Sequence, residues 1–322
     1  MDHKQRFSAD VLKLDCEKEV ARITARLREL LKRDLKRRGF VVGISGGIDS
    51  SVTAALCVKA VGKERVLALQ MPEKHSASET ASLSEQLADQ YGLPRIYIDI
   101  SSILSAVGFY EKYDRAVQLV IPEYGKGWKS KIVLPNVLNN ATISFFSVVA
   151  QSPEGKVIKQ RLSLQAYLEI VAATNFKQRI RKMLEYYHAD RMNYAVAGTP
   201  NRLEYDQGFF VKLGDGAADV KPIAHLYKTQ VYQLADYLAV PETIRKRPPT
   251  TDTYSLEQSQ DEFFFSLPYD KMDLCLYAKN GHVPVEDVVD ATGLTSEQVQ
   301  RVFADIDQKR STTQYLHLHS LL

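Results

Sequence analysis

Apolar positions along the chain change period several times, and each change marks an element. Val20, Ile23, Leu27, Leu30 and Leu31 recur at the spacing of one helix face, which predicts an amphipathic helix ending near Arg38-Gly39. Three short apolar runs follow, at residues 40–44, 66–70 and 96–100, and the stretches between them, 50–61 and 78–91, carry helical patterning. That alternation predicts βαβ units and a parallel sheet, hence a doubly wound α/β, Rossmann-like fold with helices on both faces. Ligands of such sheets bind at the C-terminal ends of the strands, and a glycine-rich stretch follows the first run at that place.

Residues 119–164 break the rhythm. Gly125, Gly127, Pro135, Pro153 and Gly155 punctuate β-rich runs at 131–134 and 142–150, so this region is expected to be an insertion folded as a β-hairpin. Helical patterning returns over 163–193, followed by a short strand at 194–197, a polar loop, and a helix at 227–238. Near the C-terminus, Val288, Val289, Leu294, Val299 and Val302 around Thr292-Gly293 resemble a helix-turn-helix. Between residues 283 and 307, however, Glu286, Asp287, Asp290, Glu297, Asp305 and Asp307 stand against Arg301 alone, the wrong sign for phosphate contacts. A packed helical hairpin carrying Lys309 is the expectation, within a C-terminal helical segment at about 268–322 of a single 1–322 domain.

Composition narrows the class. With 322 residues, 45% of them hydrophobic, the chain supports a real core, and a net charge of only +3 gives no bulk attraction to nucleic acid or a membrane. Residues 1–10 lack the apolar core of a secretory signal, and the most apolar long stretch, 131–150, is broken by Pro135, Asn136, Asn139 and Asn140. Cys16, Cys57 and Cys275 form neither a metal spacing nor an even disulfide set, and none of the seven histidines has ligand spacing. These features predict a cytoplasmic protein without a zinc site.

The chemistry begins at Ser45-Gly46-Gly47-Ile48-Asp49-Ser50-Ser51, between the buried-strand run Val41-Val42-Gly43-Ile44 and a helix. Adjacent glycines let backbone approach a ligand, the N–H groups of a helix N-terminus favour an anion, and Ser45, Ser50 and Ser51 offer hydroxyls. The loop is not a Walker A motif, because no Gly-Lys-Ser/Thr follows. An acid beside phosphates calls for a metal, so Asp49 is read as a Mg²⁺ ligand. The segment resembles the SGGxDS loop of the N-type ATP pyrophosphatases, a superfamily with an adenine nucleotide alpha-hydrolase-like fold that adenylates an acceptor and releases pyrophosphate. That resemblance implies ATP on Gly43, Ile44, Ser45, Gly46, Gly47, Ile48, Asp49 and Ser50.

A second signature chooses among its members. Gly198-Thr199-Pro200-Asn201-Arg202-Leu203-Glu204-Tyr205 is followed by Gly208-Phe209-Phe210-Val211-Lys212-Leu213-Gly214-Asp215-Gly216-Ala217-Ala218-Asp219 and then by Leu226-Tyr227-Lys228-Thr229-Gln230. This run resembles the defining stretch of the ammonia-dependent NAD synthetases. Arg247-Pro248-Pro249-Thr250, Gln258-Ser259-Gln260-Asp261-Glu262 and Gln308-Lys309-Arg310 extend the likeness over most of the chain outside the insertion. The resemblance implies that Thr199, Lys228 and Thr250 touch ATP and that Glu204 joins Asp49 on Mg²⁺. It further implies that Arg179, Lys212, Asp219, Gln308 and Lys309 hold nicotinic acid adenine dinucleotide (deamido-NAD), and that Asp215 lies at the ammonia site.

The implied activity is that of a ligase in which Asp49, Asp215 and Lys228 are catalytic: ATP adenylates the nicotinate carboxylate, and ammonia displaces AMP to give NAD. Family likeness also implies a homodimer with the dinucleotide near its interface. No amidase domain with a nucleophilic cysteine is present, so the expected nitrogen source is free ammonia or ammonia from a separate donor. Pro200 and the insertion depart from the family pattern beside the substrate pocket, which leaves nicotinate mononucleotide or another carboxylate open as acceptor. A tRNA-modifying adenylating enzyme is a more distant alternative, lacking an evident RNA surface or relay cysteines.

Overall fold

The computed structural model describes residues 7–76, 78–134, 146–248, 253–256, 264–265 and 267–319. Helix α1 (Cys16–Leu30) leads to strand β1 (Phe40–Gly43), α2 (Ile48–Val61), β2 (Val66–Gln70), α3 (Ser78–Tyr91) and β3 (Arg95–Tyr97). After α4 (Ser101–Ala106) and α5 (Phe109–Gln118) come three strands, β4 (Lys129–Val133), β5 (Ser147–Gln151) and β6 (Val157–Arg161), then the 29-residue α6 (Leu164–Met192) and β7 (Ala195–Ala197). The remainder is helical: α7 (Arg202–Gln207), α8 (Lys228–Tyr237), α9 (Glu242–Arg245), α10 (Tyr269–Asn280), α11 (Val285–Thr292) and α12 (Ser296–His317).

Strands β3, β2, β1 and β7 form a parallel sheet in that order. Alternate residues face opposite layers. Phe40, Val42 and Ala68 pack with residues of α1, α2, α3 and α8, whereas Val41, Leu67, Leu69 and Val196 pack with residues of α5 and α6. Burial on both faces is why these strands read as unbroken apolar runs. A third apolar cluster joins α10, α11 and α12 to Leu203 of α7 and to Phe7 and Leu12, so the C-terminal hairpin is a packed unit that leans on α7.

Four expectations change in detail. The first helix does not run to Gly39: after α1 a single π turn over Leu31–Leu35 ends at Lys36, which is left-handed at φ 53°. Gly39 is needed for a different reason, since a Cβ there would lie 2.2 Å from the Arg65 carbonyl oxygen and 2.7 Å from the Tyr194 ring. The third apolar run is only half strand, because after Tyr97 the chain turns so that buried Ile100 precedes α4. The 119–164 region holds a three-stranded antiparallel sheet, β4-β5-β6, in place of a hairpin.

That small sheet is tied back to the rest of the chain through Ser130 on its edge strand β4. The Ser130 hydroxyl meets the hydroxyls of Tyr113 and Tyr124 at 2.8 and 2.9 Å, its N–H donates to Ser255 Oγ at 2.9 Å, and its carbonyl accepts from the Leu256 N–H at 3.1 Å. Among the described residues no helix is long and apolar enough to cross a membrane. Cys57 and Cys275 are fully buried, as small apolar residues are.

Candidate active site

A cleft of about 840 Å³ opens where the C-terminal ends of β1, β2 and β7 meet α6, α7 and α8. Its floor is the glycine-rich turn. Gly46 has φ 69°, and a Cβ there would meet the Leu83 Cβ at 2.8 Å, so both the left-handed turn and its close packing on α3 require glycine. Gly47 is the N-cap of α2, and the first-turn residues Ile48, Asp49 and Ser50 line the cleft, so the helix end that carries free N–H groups lies there. The serines divide their work. Ser50 and Ser51 donate their hydroxyls to the Gly47 carbonyl at 3.0 and 2.8 Å, and Ser51 is fully buried, so these two hold the turn. Ser45 and Ser50 also line the cleft.

Asp49, in the first turn of α2, is the centre of a charged cluster built from three segments. Lys228 Nζ pairs with Asp49 Oδ2, and the Asn201 side-chain amide donates to Asp49 Oδ1 at 3.0 Å. Asn201 is also the N-cap of α7: its Oδ1 accepts from the Glu204 N–H at 3.2 Å, and its own N–H donates to Glu204 Oε2 at 3.1 Å, a reciprocal capping box. One residue thus joins Asp49 to Glu204. Burial and then the neighbouring Asp49 charge push the Glu204 carboxyl up to about 8, with Lys228 acting in the opposite sense.

Lys228 itself is almost entirely buried. Burial works against its charge, but Asp49 and Glu204 more than offset that and hold it above the ordinary lysine range. Its backbone is fixed from α10: Asp273 Oδ1 accepts the Lys228 N–H at 3.2 Å and Oδ2 accepts the Thr229 N–H at 2.7 Å, which satisfies two free donors at the start of α8. Thr199 lies on the same cleft wall, with Gly198 and Pro200. Arg247 and Pro248 line the outer rim, while Thr250 and the 258–262 segment lie outside the described residues.

At the far end of the cleft, Asp215 accepts the Val211 N–H at 2.7 Å and is pushed above the usual carboxylate range by burial. Its loop is pressed onto α6, where a Cβ on Gly214 would lie 2.9 Å from the Gln178 Cβ. The arrangement places anion-binding backbone, two carboxylates suited to a hard cation, a buried lysine and a separate half-buried carboxylate around one space.

A family model described as NAD synthase matches residues 19–126 and 112–314. Over 312 residues the chain is 56% identical to the NH(3)-dependent NAD(+) synthetase of Mesorhizobium japonicum, covering 97% of this chain and 98% of that one. It is 57% identical to the enzyme of the same name from Rhizobium meliloti, covering 97% and 93%. The chain belongs to the NAD synthase family. Solved structures agree on the fold. The NH3-dependent NAD synthetase of Campylobacter jejuni superposes with a TM-score of 0.63 at 24% identity, and the NMN synthetase of Francisella tularensis with 0.66 at 20%, each covering 96% of this chain and 99% of its own.

The residues that NAD synthase likeness assigns to the dinucleotide are not in the cleft with the phosphate loop. Arg179 is exposed on α6, its Nε donating to the Lys212 carbonyl at 3.3 Å, and Lys212 Nζ donates to the Tyr315 carbonyl at 2.8 Å. Asp219 secures the free edge of β7, accepting the Val196 N–H at 2.7 Å. Gln308 is exposed on α12, and Lys309 turns inward to the Phe264 carbonyl and Asp305 Oδ2, both at 2.6 Å. Residues without an assigned role in the sequence also shape the site: Lys177, Lys182, Glu185 and the aromatic pair Phe146 and Tyr167, stacked at 4.4 Å, line the cleft, and buried Asn201 stands behind Asp49 and Glu204. Asn201 carried a readable signal in the Asn-x-x-Glu spacing of a capping box. The others carried none, because a lone charged or aromatic residue on a helix reads as surface or core.

Proposed function

We propose that this chain converts deamido-NAD to NAD with ATP and ammonia, through an adenylated nicotinate, releasing AMP and pyrophosphate. The observation that carries the reading is the Asp49–Asn201–Glu204 arrangement beside Lys228 at the mouth of the phosphate loop, in a chain of this family. Deamido-NAD, ATP and ammonia are the substrates in this reading, and the ammonia is free or handed over by a separate donor.

The nicotinate carboxylate attacks the α-phosphorus of ATP, and the bond to pyrophosphate breaks. Lys228, with a single partnered charge at Asp49, is suited to share its ammonium with the departing phosphates, and the α2 N-terminus holds them by backbone N–H groups. Ammonia then attacks the acyl carbon, AMP leaves with the electron pair, and the nitrogen loses a proton. Asp215, whose partly desolvated carboxyl favours the protonated form more than an ordinary aspartate does, is suited to take the proton that ammonium must lose before attack.

Asp49 and Glu204 fit Mg²⁺: both offer hard carboxylate oxygen, and their mutual repulsion is relieved by a cation. When bound there, Mg²⁺ supplies charge neutralisation and polarisation of phosphate oxygens. A homodimer is part of the proposal. Leu164, Leu168, Met183 and Tyr187 are exposed along one side of α6 with Arg179 among them, which supports an apolar interface that would bring the outlying dinucleotide residues to a second subunit. The free thiols of Cys16, Cys57 and Cys275 fit a cytoplasmic setting.

The deciding experiment supplies ATP, Mg²⁺ and ammonium with deamido-NAD or nicotinate mononucleotide and measures amide, AMP and pyrophosphate together. Equimolar NAD, AMP and pyrophosphate from deamido-NAD is the expected result. No NAD above background would overturn the reading, and turnover by the purified protein with glutamine alone would overturn the ammonia assignment.

A further inference from the structure

Helix α6 presents a charged pair to the cleft that the mechanism above leaves unused. Lys182 Nζ bonds Glu185 Oε2 at 2.5 Å, and both side chains are more than nine-tenths buried. Residues three apart on a helix are neighbours, and such pairs are ordinarily solvated. Here the pair has been carried to the C-terminal end of β1. A Cβ on Gly43 would lie 2.8 Å from Glu185 Oε1, so the absence of a side chain at Gly43 is what admits the carboxylate to the strand end next to the phosphate loop.

Glu185 Oε1 accepts no hydrogen bond among the described residues, whereas Oε2 is taken by Lys182. Oε1 is turned to the cleft, so a bound N–H donor can take the place of solvent on it. Asp215 is on the same cleft, its loop resting on Gln178 one helical turn before Lys182, and its charge interacts with both Lys182 and Glu185. Lys182 already bonds Oε2, so within this group Oε1 is the carboxylate oxygen of Glu185 left open to a ligand in the cleft. A small cation rich in N–H donors suits two carboxylates facing one space at the strand end beside the phosphate loop.

We propose that Glu185 Oε1 and the Asp215 carboxylate together bind the substrate ammonium ion, with Lys182 holding Glu185 in position. The inference rests on the amidation reading and adds a second substrate-touching carboxylate to it. Glu185 makes and breaks no covalent bond. It binds ammonium; Asp215 accepts one proton; the freed lone pair forms the C–N bond as the C–O bond to AMP breaks, and the second proton leaves to solvent.

The test compares the wild-type protein with Glu185→Gln, which keeps shape and removes charge, and Glu185→Asp, which keeps charge and withdraws it by one methylene. For Glu185→Gln the KM for ammonium is expected to rise about tenfold or more, as for loss of one charged hydrogen bond. Pyrophosphate exchange driven by deamido-NAD without ammonium is expected to stay within about twofold, and Glu185→Asp should fall between the two. An unchanged ammonium KM in Glu185→Gln would overturn the inference. So would a parallel loss of exchange, ammonium use and thermal stability in both variants, since that is the pattern of a purely structural pair. Failure of the wild-type protein to exchange pyrophosphate with deamido-NAD would instead sink the parent reading.

Discussion

The side-chain amide of Asn201 hydrogen-bonds Asp49 Oδ1 at 3.0 Å across 152 positions of sequence, while the same residue caps the helix that carries Glu204. Asn201 therefore helps orient both carboxylates, Asp49 through its side-chain amide and Glu204 through its backbone N–H. Asn201→Asp keeps a good cap but turns a donor toward Asp49 into a third negative charge. Because Asn201 is buried, the added charge is expected to cost about 1–3 kcal/mol of stability, and pyrophosphate release falls at least about tenfold, as for loss of a hydrogen bond to a charged group. Asn201→Ala should lose both, with about 1 kcal/mol of stability gone. Thermal unfolding and pyrophosphate assays on the two variants check this.

The six residues of α7 are too few to hold their own direction, and α12 supplies it. Arg310 forks onto Asp206 at 2.6 and 2.8 Å and also reaches Asn280 Oδ1 at 2.6 Å, and Gly208 sits so close to Thr313 that a Cβ would fall 2.2 Å from its Cβ. Arg310→Ala is expected to reduce stability by about 1–3 kcal/mol and to raise the Mg²⁺ concentration needed for half-maximal rate. Arg310→Lys, which keeps charge without the fork, should recover only part of that. A magnesium titration of each variant decides it.

Asp273 faces a conflict between burial, which pushes its carboxyl up to about 6, and the two backbone N–H groups it accepts, which act against that rise. An acid raised on folding contributes stability that is fully present below its unfolded value, near 4, and lost as pH rises through about 6. The wild-type protein should therefore lose on the order of 2–3 kcal/mol from this group between pH 4 and 7. Asp273→Asn should lack that slope, which unfolding at a series of pH values would reveal.

Placing Glu at both Leu168 and Met183 puts charge on the exposed apolar side of α6. If that side is the interface, the wild-type chain runs in solution at about twice its 36.4 kDa and the double variant at its own mass, with dinucleotide turnover lost. Light scattering on both proteins measures the outcome.

Strands β1, β2 and β7 were legible because burial on both faces writes an unbroken apolar run, and α6 because Ser163 caps it where the pattern begins. Strand β6 was not: Val157, Lys159, Gln160 and Arg161 are exposed, and what orders them is pairing with β5. The metal-suited carboxylates could be found from motif residues. Lys182 and Glu185 could not, because their burial arises only when α6 crosses the end of β1, and no local pattern records that crossing. Gly39 was misread for a similar reason, its smallness answering to Arg65 and Tyr194 and not to a helix end.

Ser130 gives the small sheet a part in assembly. Its backbone accepts and donates on the side of β4 away from β5, so the 253–256 stretch closes an edge that would otherwise offer unpaired strand groups to another molecule. The opposite edge, β6, is guarded by Lys159 and Arg161 instead. Closure works in both directions: Thr253, Tyr254 and Ser255 are cleft wall, and a chain trimmed of residues 129–161 would lose the strand on which that wall is hung. Trimming would leave an unanchored wall in place of a simpler enzyme.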